Sequence, residues 1–346
     1  MQVLFDFGHP AHVHLFRNAA RQLIERGDSV VITARDRGII THLLKHYELD
    51  YSIASTPRQG LVGNIVELMV HNWQVLKKCL KSRPDLLIGT SVSVAHVGRL
   101  IGRPSIVLNE DDADYVPLFA KITYPFASRI VIPSVLRDPK TAKVLTHESY
   151  HELAYLHPDH FTPDPGALSI LGVQPGDPFF IIRVVDLAAH HDAGEEGLSP
   201  EQVEKLVEMF EPHGQVFVNS EGSLPANLKN RAFHAPPEQM HNIMAFTKLL
   251  VSDSQTMTME AAVLGRPAFR CNTFVGRCSV IEELEQRFNL AWGYHPSQFD
   301  QMTHDIQELL GNPDLEQEMA ERRAHMLEHK VNFANWILEQ IDRRFA

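Results

Sequence analysis

The sequence predicts an α/β protein made of two parallel-sheet domains in tandem. Three observations carry that expectation. Short apolar, strand-like runs alternate with longer amphipathic stretches, as crossover helices between parallel strands require. The alternation occurs twice, on either side of a proline-rich interruption between 133 and 165. The chain has 346 residues, enough for two cores at roughly 150 residues per domain.

The first series of strands is read at Val3 to Phe7, Ser29 to Thr33, Asp85 to Ile88, Ser105 to Leu108 and Arg129 to Ile132. Several end on punctuating residues, as in Phe7-Gly8-His9-Pro10 and Ile88-Gly89-Thr90-Ser91. Loops at the carboxyl ends of such strands are where open α/β sheets bind ligands. The segment from Gly60 to Arg83 is an amphipathic helix with a basic end, read first as a crossover helix covering the sheet. Its polarity also admits peripheral contact with a membrane surface. Pro133, Pro139, Pro158, Pro163 and Pro165 mark the linker, which sets domains of 1–165 and 166–329. The second series runs Phe179 to Val185, Gln215 to Asn219, Ala232 to His234, Lys248 to Ser252 and Ala268 to Cys271. From Asp314 the chain is helical in composition, and Phe333, Trp336, Ile337 and Ile341 form a single apolar stripe.

Composition narrows the function classes. A chain that is 44% hydrophobic and 22% charged is globular, which excludes disordered, collagen-like and disulfide-scaffold proteins. Cys79, Cys271 and Cys278 lack paired spacing, so neither a disulfide framework nor a thiolate zinc site is expected. No apolar run reaches the ~18 residues of a spanning helix and no signal peptide is recognised, so a cytoplasmic location is expected. The first 165 residues carry 18 cationic and 17 anionic side chains, the remainder 14 and 26. That is no basic footprint for nucleic acid, which is not expected as a partner.

The segment Leu249 to Phe269 carries the most chemistry. An apolar strand enters a small polar loop, Ser252 to Thr256, and then a helix that holds Glu260 near its start. Open amides at that helix N-terminus, with the Ser254 and Thr256 hydroxyls, suit a phosphate, and Glu260 can accept from a ribose diol. Arg183, at the end of the second domain's first strand, can neutralise a diphosphate with a forked pair of hydrogen bonds. In the first domain, Gly8 opens the loop to His14, and His12 and His14 are candidate general bases because their pKa lies near neutrality. Glu110 to Asp114 places four acids in five residues after another strand; Glu110 and Asp112 are candidate acid and base, since clustered carboxylates raise one another's pKa. A minority metal reading joins His9, His12 and His14 to His190, His191 and Asp192; no metal or other cofactor is expected on the main reading.

The stretch Glu260-Ala-Ala-Val-Leu-Gly-Arg-Pro267 resembles the EAxxLGxP pattern of glycosyltransferase-B proteins and of non-hydrolysing UDP-N-acetylglucosamine 2-epimerases, with Gln255 where the epimerases commonly have glycine. The whole chain resembles the domain-of-unknown-function family 354 through Gly8 to Phe16, Thr33-Ala-Arg-Asp-Arg37, Tyr155-Leu-His-Pro158, Ala189-His-His-Asp192 and Asp253 to Met257. The glycosyltransferase-B resemblance implies two Rossmann-like domains facing a cleft, with a last helix, 330–346, crossing back to the N-terminal domain. It implies a nucleotide-sugar donor, UDP-linked, held by Gly8, Arg183, Ser252, Ser254, Gln255, Thr256 and Glu260. Transfer of the sugar to an unidentified acceptor in polysaccharide or glycoconjugate synthesis is the activity it implies first. A 2-epimerase-like reaction or binding without chemistry are its alternatives.

Overall fold

The structure is a computed structural model that describes residues 1–185 and 196–343. The chain divides into two compact units, Met1–Phe161 with Lys330–Ala346, and Thr162–His329. The first crossing falls at Phe161, four residues before the boundary expected at Pro165.

Unit 1 contains β1 (Gln2–Phe7), α1 (Pro10–Glu25), β2 (Ser29–Arg35), α2 (Gly38–His46), β3 (Ser52–Ser55), α3 (Gly60–Ser82) and β4 (Leu86–Gly89). It continues with α4 (Val92–Ile101), β5 (Ser105–Leu108), α5 (Pro117–Thr123), β6 (Arg129–Pro133) and β7 (Val144–His147). The strands form one parallel sheet in the order β3-β2-β1-β4-β5-β6-β7, with Val3 of β1 paired to Val30 on one side and Leu86 on the other. Strand order reverses at β1 and β4, so the crevice at their carboxyl ends, Gly8 to His12 and Thr90 to Ser91, is the topological switch point.

Strands β3 and β7 escape the sequence reading because each is four residues long and carries polar residues, Ser-Ile-Ala-Ser and Val-Leu-Thr-His. The proline-rich stretch is therefore no linker along its whole length. It supplies the edge strand β7 and a buried turn in which Tyr150, Leu153, Ala154, Tyr155 and Leu156 are almost fully enclosed. Helix α3 is the expected crossover helix and buries Glu67, His71, Val75 and Cys79. Its opposite face is open, with Leu61, Val62, Ile65, Met69, Trp73 and Leu80 exposed. Among the described residues, no helix is long and apolar enough to cross a membrane.

The tail expected to be helical from Asp314 is two helices, α11 (Leu315–His329) and α12 (Phe333–Asp342), separated by an N-cap at Asn332 that accepts from the Asn335 amide. Helix α12 packs on α1 in unit 1, burying Phe333, Ile337 and Ile341, while Trp336 is only half-buried. Phe333 stacks on His147 at 4.1 Å between ring centroids, and Arg26 holds Asp342 with bonds of 2.6 and 2.9 Å.

Unit 2 contains β8 (Phe179–Val184), α6 (Pro200–Phe210), β9 (Gln215–Ser220), α7 (Met240–Met244), β10 (Leu249–Ser252) and α8 (Gln255–Val263). Then follow β11 (Ala268–Cys271), α9 (Ser279–Gln286), β12 (Ala291–Tyr294), α10 (Phe299–Leu310) and α11. Its parallel sheet runs β12-β11-β10-β8-β9, with the order reversing between β8 and β10. The strand expected at Ala232 to His234 is reduced to one bridge between Ala232 and Val218. Its place as a fifth strand is taken by β12, where Gly293 lies so close to the Arg270–Glu285 pair that a Cβ would sit 2.5 Å from Glu285 Oε1.

Candidate functional site

In unit 1 the site grows from the end of β1. Pro10 starts α1 in the first turn, where a missing amide costs nothing. His9 is the N-cap and its ring accepts from the Ala11 amide, while His12 reaches back and accepts through Nδ1 from the amides of Gly8 at 3.1 Å and His9 at 3.2 Å. Two N–H donors on Nδ1 leave Nε2 as the protonated nitrogen of the neutral ring. Burial and the nearby imidazoles of His9 and His151 hold the His12 pKa well below 6.5. Thr90 Oγ1 lies 2.8 Å from both ring nitrogens. His12 thus fixes the loop and offers an N–H; its free base nitrogen is already spent, contrary to the expected role. His14 points into the unit instead, packed against Tyr155 and Tyr47 and beside Arg17. A side chain enclosed in that way is a packing residue.

Beneath this loop Asp6 is fully buried and accepts from Thr33 and Ser91, and its carboxylate pairs with His71 Nε2 at 2.9 Å. The His71 charge and these donors lower the Asp6 pKa against the upward pull of burial, and Asp6 raises that of His71. His71 continues to Ser55 at 2.7 Å, and Ser55 to Glu67. This chain of bonds ties β1, β3, α3 and the β4 end into one rigid floor, as satisfied buried networks do.

At the end of β5 the four acids separate. Asp112 is fully buried, accepting from the Arg137 amide at 2.8 Å and pairing with its guanidinium, so it braces the loop and is not the expected acid or base. Glu110 Oε2 lies 3.0 Å from His151 Nδ1. Asp111 is the perturbed group, its pKa pushed up to about 7 by burial first and then by the charges of Glu110 and Asp112, against the pull of His151. Neither Asp111 nor His151 was singled out in the sequence, since one is an unmarked member of an acid run and the other one of 20 histidines. Glu110 and Asp111, with His151 paired to the first and lowering the pKa of the second, are the titratable cluster of this loop.

In unit 2 the β10–α8 turn stands at the switch point beside the end of β8. Ser252 is buried and accepts from the Ser254 amide at 2.8 Å, and Ser254 is the N-cap, accepting from Met257. Asp253 Oδ1 accepts from the Val185 amide at 2.7 Å, and burial pushes its pKa up to about 7. With Ser254 and Met257 amides engaged, the first-turn amides of Gln255 and Thr256 have no acceptor among the described residues and remain as donors, next to the half-buried Thr256 hydroxyl. Gln255 turns its side chain away, donating to Cys278 Sγ at 3.1 Å.

Glu260 is buried one turn on, with Oε1 2.9 Å from His241 Nε2. Arg183 does not stand open: Asn219 and Glu221 on and after the neighbouring β9 take its guanidinium, so it is an ion-paired residue rather than a ready phosphate clamp. His190, His191 and Asp192 of the metal reading lie outside the described residues. Within the described ones, the His9 and His12 rings lie 5.8 Å apart between centroids, while His14 packs against Tyr47 and Tyr155 instead of joining them.

A protein family described as "Protein of unknown function (DUF354)" matches residues 1–280. None of the curated proteins matches the sequence. Among solved structures, UDP-GlcNAc 2-epimerase from Neisseria meningitidis bound to UDP-GlcNAc is similar at 14% identity, with 99% of this chain and 100% of that one covered and a TM-score of 0.71. MnaA of S. aureus, solved with UDP, is similar at 12% identity, 99% and 95% coverage and a TM-score of 0.68. The spinosyn forosaminyltransferase SpnP follows at 15% identity, 99% and 98% coverage and a TM-score of 0.66. The fold is thus the glycosyltransferase-B fold, shared over nearly the whole of each chain.

Proposed function

The chain belongs to the DUF354 family, and from that premise we propose that it is a glycosyltransferase-like enzyme that binds a UDP-linked sugar through the β10–α8 turn. The observation that carries the reading is the pair of open first-turn amides at Gln255 and Thr256 at a switch point, with the Ser254 and Thr256 hydroxyls beside them. Oriented amides and the positive end of α8 favour a diphosphate without a metal. Glu260, oriented by His241, is the proposed ribose partner. That structures of like fold were solved with UDP or UDP-GlcNAc supports the choice of ligand.

Within unit 1, Asp111 replaces His12 and His14 as the proposed base. A carboxyl with a pKa of about 7 is half ionised at neutrality, which suits proton transfer. In transfer, the bond from the anomeric carbon to the diphosphate breaks, UDP leaves, an acceptor oxygen forms the new bond, and a carboxylate takes its proton. The Glu110–Asp111 pair also favours a second reading, epimerisation of the same donor, in which one carboxylate removes a proton and an acid returns it. Incubating UDP-GlcNAc with the protein alone separates the two: a new sugar epimer without acceptor supports the second reading, and turnover only with acceptor supports the first.

Peripheral membrane contact is part of the proposal. Helices α3, α4 and α5 carry five cations, Lys77, Lys78, Lys81, Arg99 and Lys121, against one acid, Glu67, which is buried. Beside those cations Met69 is 67% and Trp73 59% exposed. An apolar stripe on helices whose exposed Lys, Arg, Asp and Glu charges are all positive suits an anionic lipid surface, whereas self-pairing would bring like charges together.

A further inference from the structure

In the Thr33-Ala-Arg-Asp-Arg37 stretch only Thr33 has entered the site described so far, yet the two arginines stand at the end of β2, next to the Gly8 loop. A Cβ on Gly8 would lie 4.0 Å from Arg35 Cδ. Arg35 Nε is 2.6 Å from Glu67 Oε1, and the Arg58 amide donates to the other oxygen of the same carboxylate at 3.1 Å. Arg37, the N-cap of α2, is half-buried, and its guanidinium makes no hydrogen bond or ion pair among the described residues. Burial, then the charge of Arg35, pushes the Arg37 pKa down, against the pull of Glu67. A native state keeps two cations this close, one of them half out of water, at a cost in self-repulsion that an anion relieves.

We propose that Arg37 and Arg35 form a subsite for a phosphate group carried by the second substrate. Two guanidiniums, those of Arg35 and Arg37, beside one carboxylate, Glu67, suit a phosphate monoester, which carries about −1.5 to −2 charge near neutrality; Asp36 between them is exposed. A single carboxylate ligand would be satisfied by one guanidinium fork, whereas the oxygens of a phosphate can take two. Glu67 lies on the buried polar floor through Ser55, so Arg35 is held on a rigid base and Arg37 is the adjustable member. Calling this ligand a substrate rests on the transferase reading; the anion subsite itself does not.

The test is calorimetric titration of inorganic pyrophosphate into the full chain saturated with UDP, comparing wild type with Arg37→Gln and Arg37→Lys. The subsite predicts that pyrophosphate still binds with UDP present, that Arg37→Gln weakens it at least tenfold while leaving UDP affinity unchanged and the anion-free thermal midpoint no lower, and that Arg37→Lys recovers part of the loss. Equal pyrophosphate affinity in wild type and Arg37→Gln, or malonate binding as tightly as pyrophosphate, overturns it. If UDP itself does not bind, the nucleotide proposal fails, and the same wild-type and Arg37→Gln comparison without UDP still decides the subsite.

Discussion

At the scale of single residues, two carboxyls link the site to pH. Asp111 and Asp253 both have folded-state pKa values of about 7, above the ordinary 3.8. Between those values the native state holds protons that the unfolded chain has released, so their contribution is complete below about pH 4 and is lost as pH rises to 7. Each group adds a slope of up to about 1.4 kcal/mol per pH unit in that window. Chemical denaturation from pH 4 to 8 should show stability falling towards neutrality, with a shallower fall in Asp111→Asn and Asp253→Asn; unchanged slopes contradict the assignment. If Asp111 is the base, the turnover rate also rises through pH 7 and that limb disappears in Asp111→Asn. Sequence alone finds the acid run and the histidine loop, but not which member acts. That Asp112 is the acid buried and tied to Arg137, and which imidazole nitrogen is already accepting, depend on partners 25 or more residues away or on the cap geometry of α1.

At the scale of elements, periodicity served best where a helix or strand was long and one-sided. The α12 stripe is legible because its spacing is helical, and the half-buried Trp336 shows that spacing does not rank depth within the stripe. Phe333 is the enclosed member, stacked on His147. Phe333→Ala is therefore expected to cost ~3–5 kcal/mol, as other buried aromatic truncations do, and Trp336→Ala distinctly less; equal losses in urea melts contradict that ranking. Four-residue strands gave no such signal, and the prolines around β7 suggested a linker because turn residues look alike at the edge of a sheet and between domains. The outer face of α3 makes its own prediction. Vesicles containing phosphatidylserine should retain the protein in sedimentation at low salt, neutral phosphatidylcholine vesicles should not, and Lys77→Glu with Lys81→Glu should release it. Equal retention of the double variant, or a stable dimer that buries Trp73, would contradict lipid contact.

At the scale of the whole molecule, the double α/β pattern and the Glu260 to Pro267 motif sufficed to place this chain in the glycosyltransferase-B fold. Two sheets with their own switch points follow from two runs of alternating strands and helices. The Ser252 to Thr256 turn was legible for the same reason, since an apolar strand entering a small polar loop and a helix has few other solutions. Arg183 was not, because its partners Asn219 and Glu221 sit on a strand more than thirty residues on. On the proposed function, the open amides of α8 bind the diphosphate of a UDP-sugar. Gln255 occupies the first helical position, where proline is accommodated, and Ser254 before it is already extended at φ −84° and ψ 123°. Gln255→Pro should thus delete one donor and keep the helix. Calorimetric titration of UDP into wild type and Gln255→Pro, with uridine as the phosphate-free control and circular dichroism verifying the fold, is the most direct measurement. The account predicts a loss of about 1.5–3 kcal/mol in UDP binding, the range for hydrogen bonds to a charged group, with uridine unaffected; a folded Gln255→Pro that binds UDP as wild type does would contradict it.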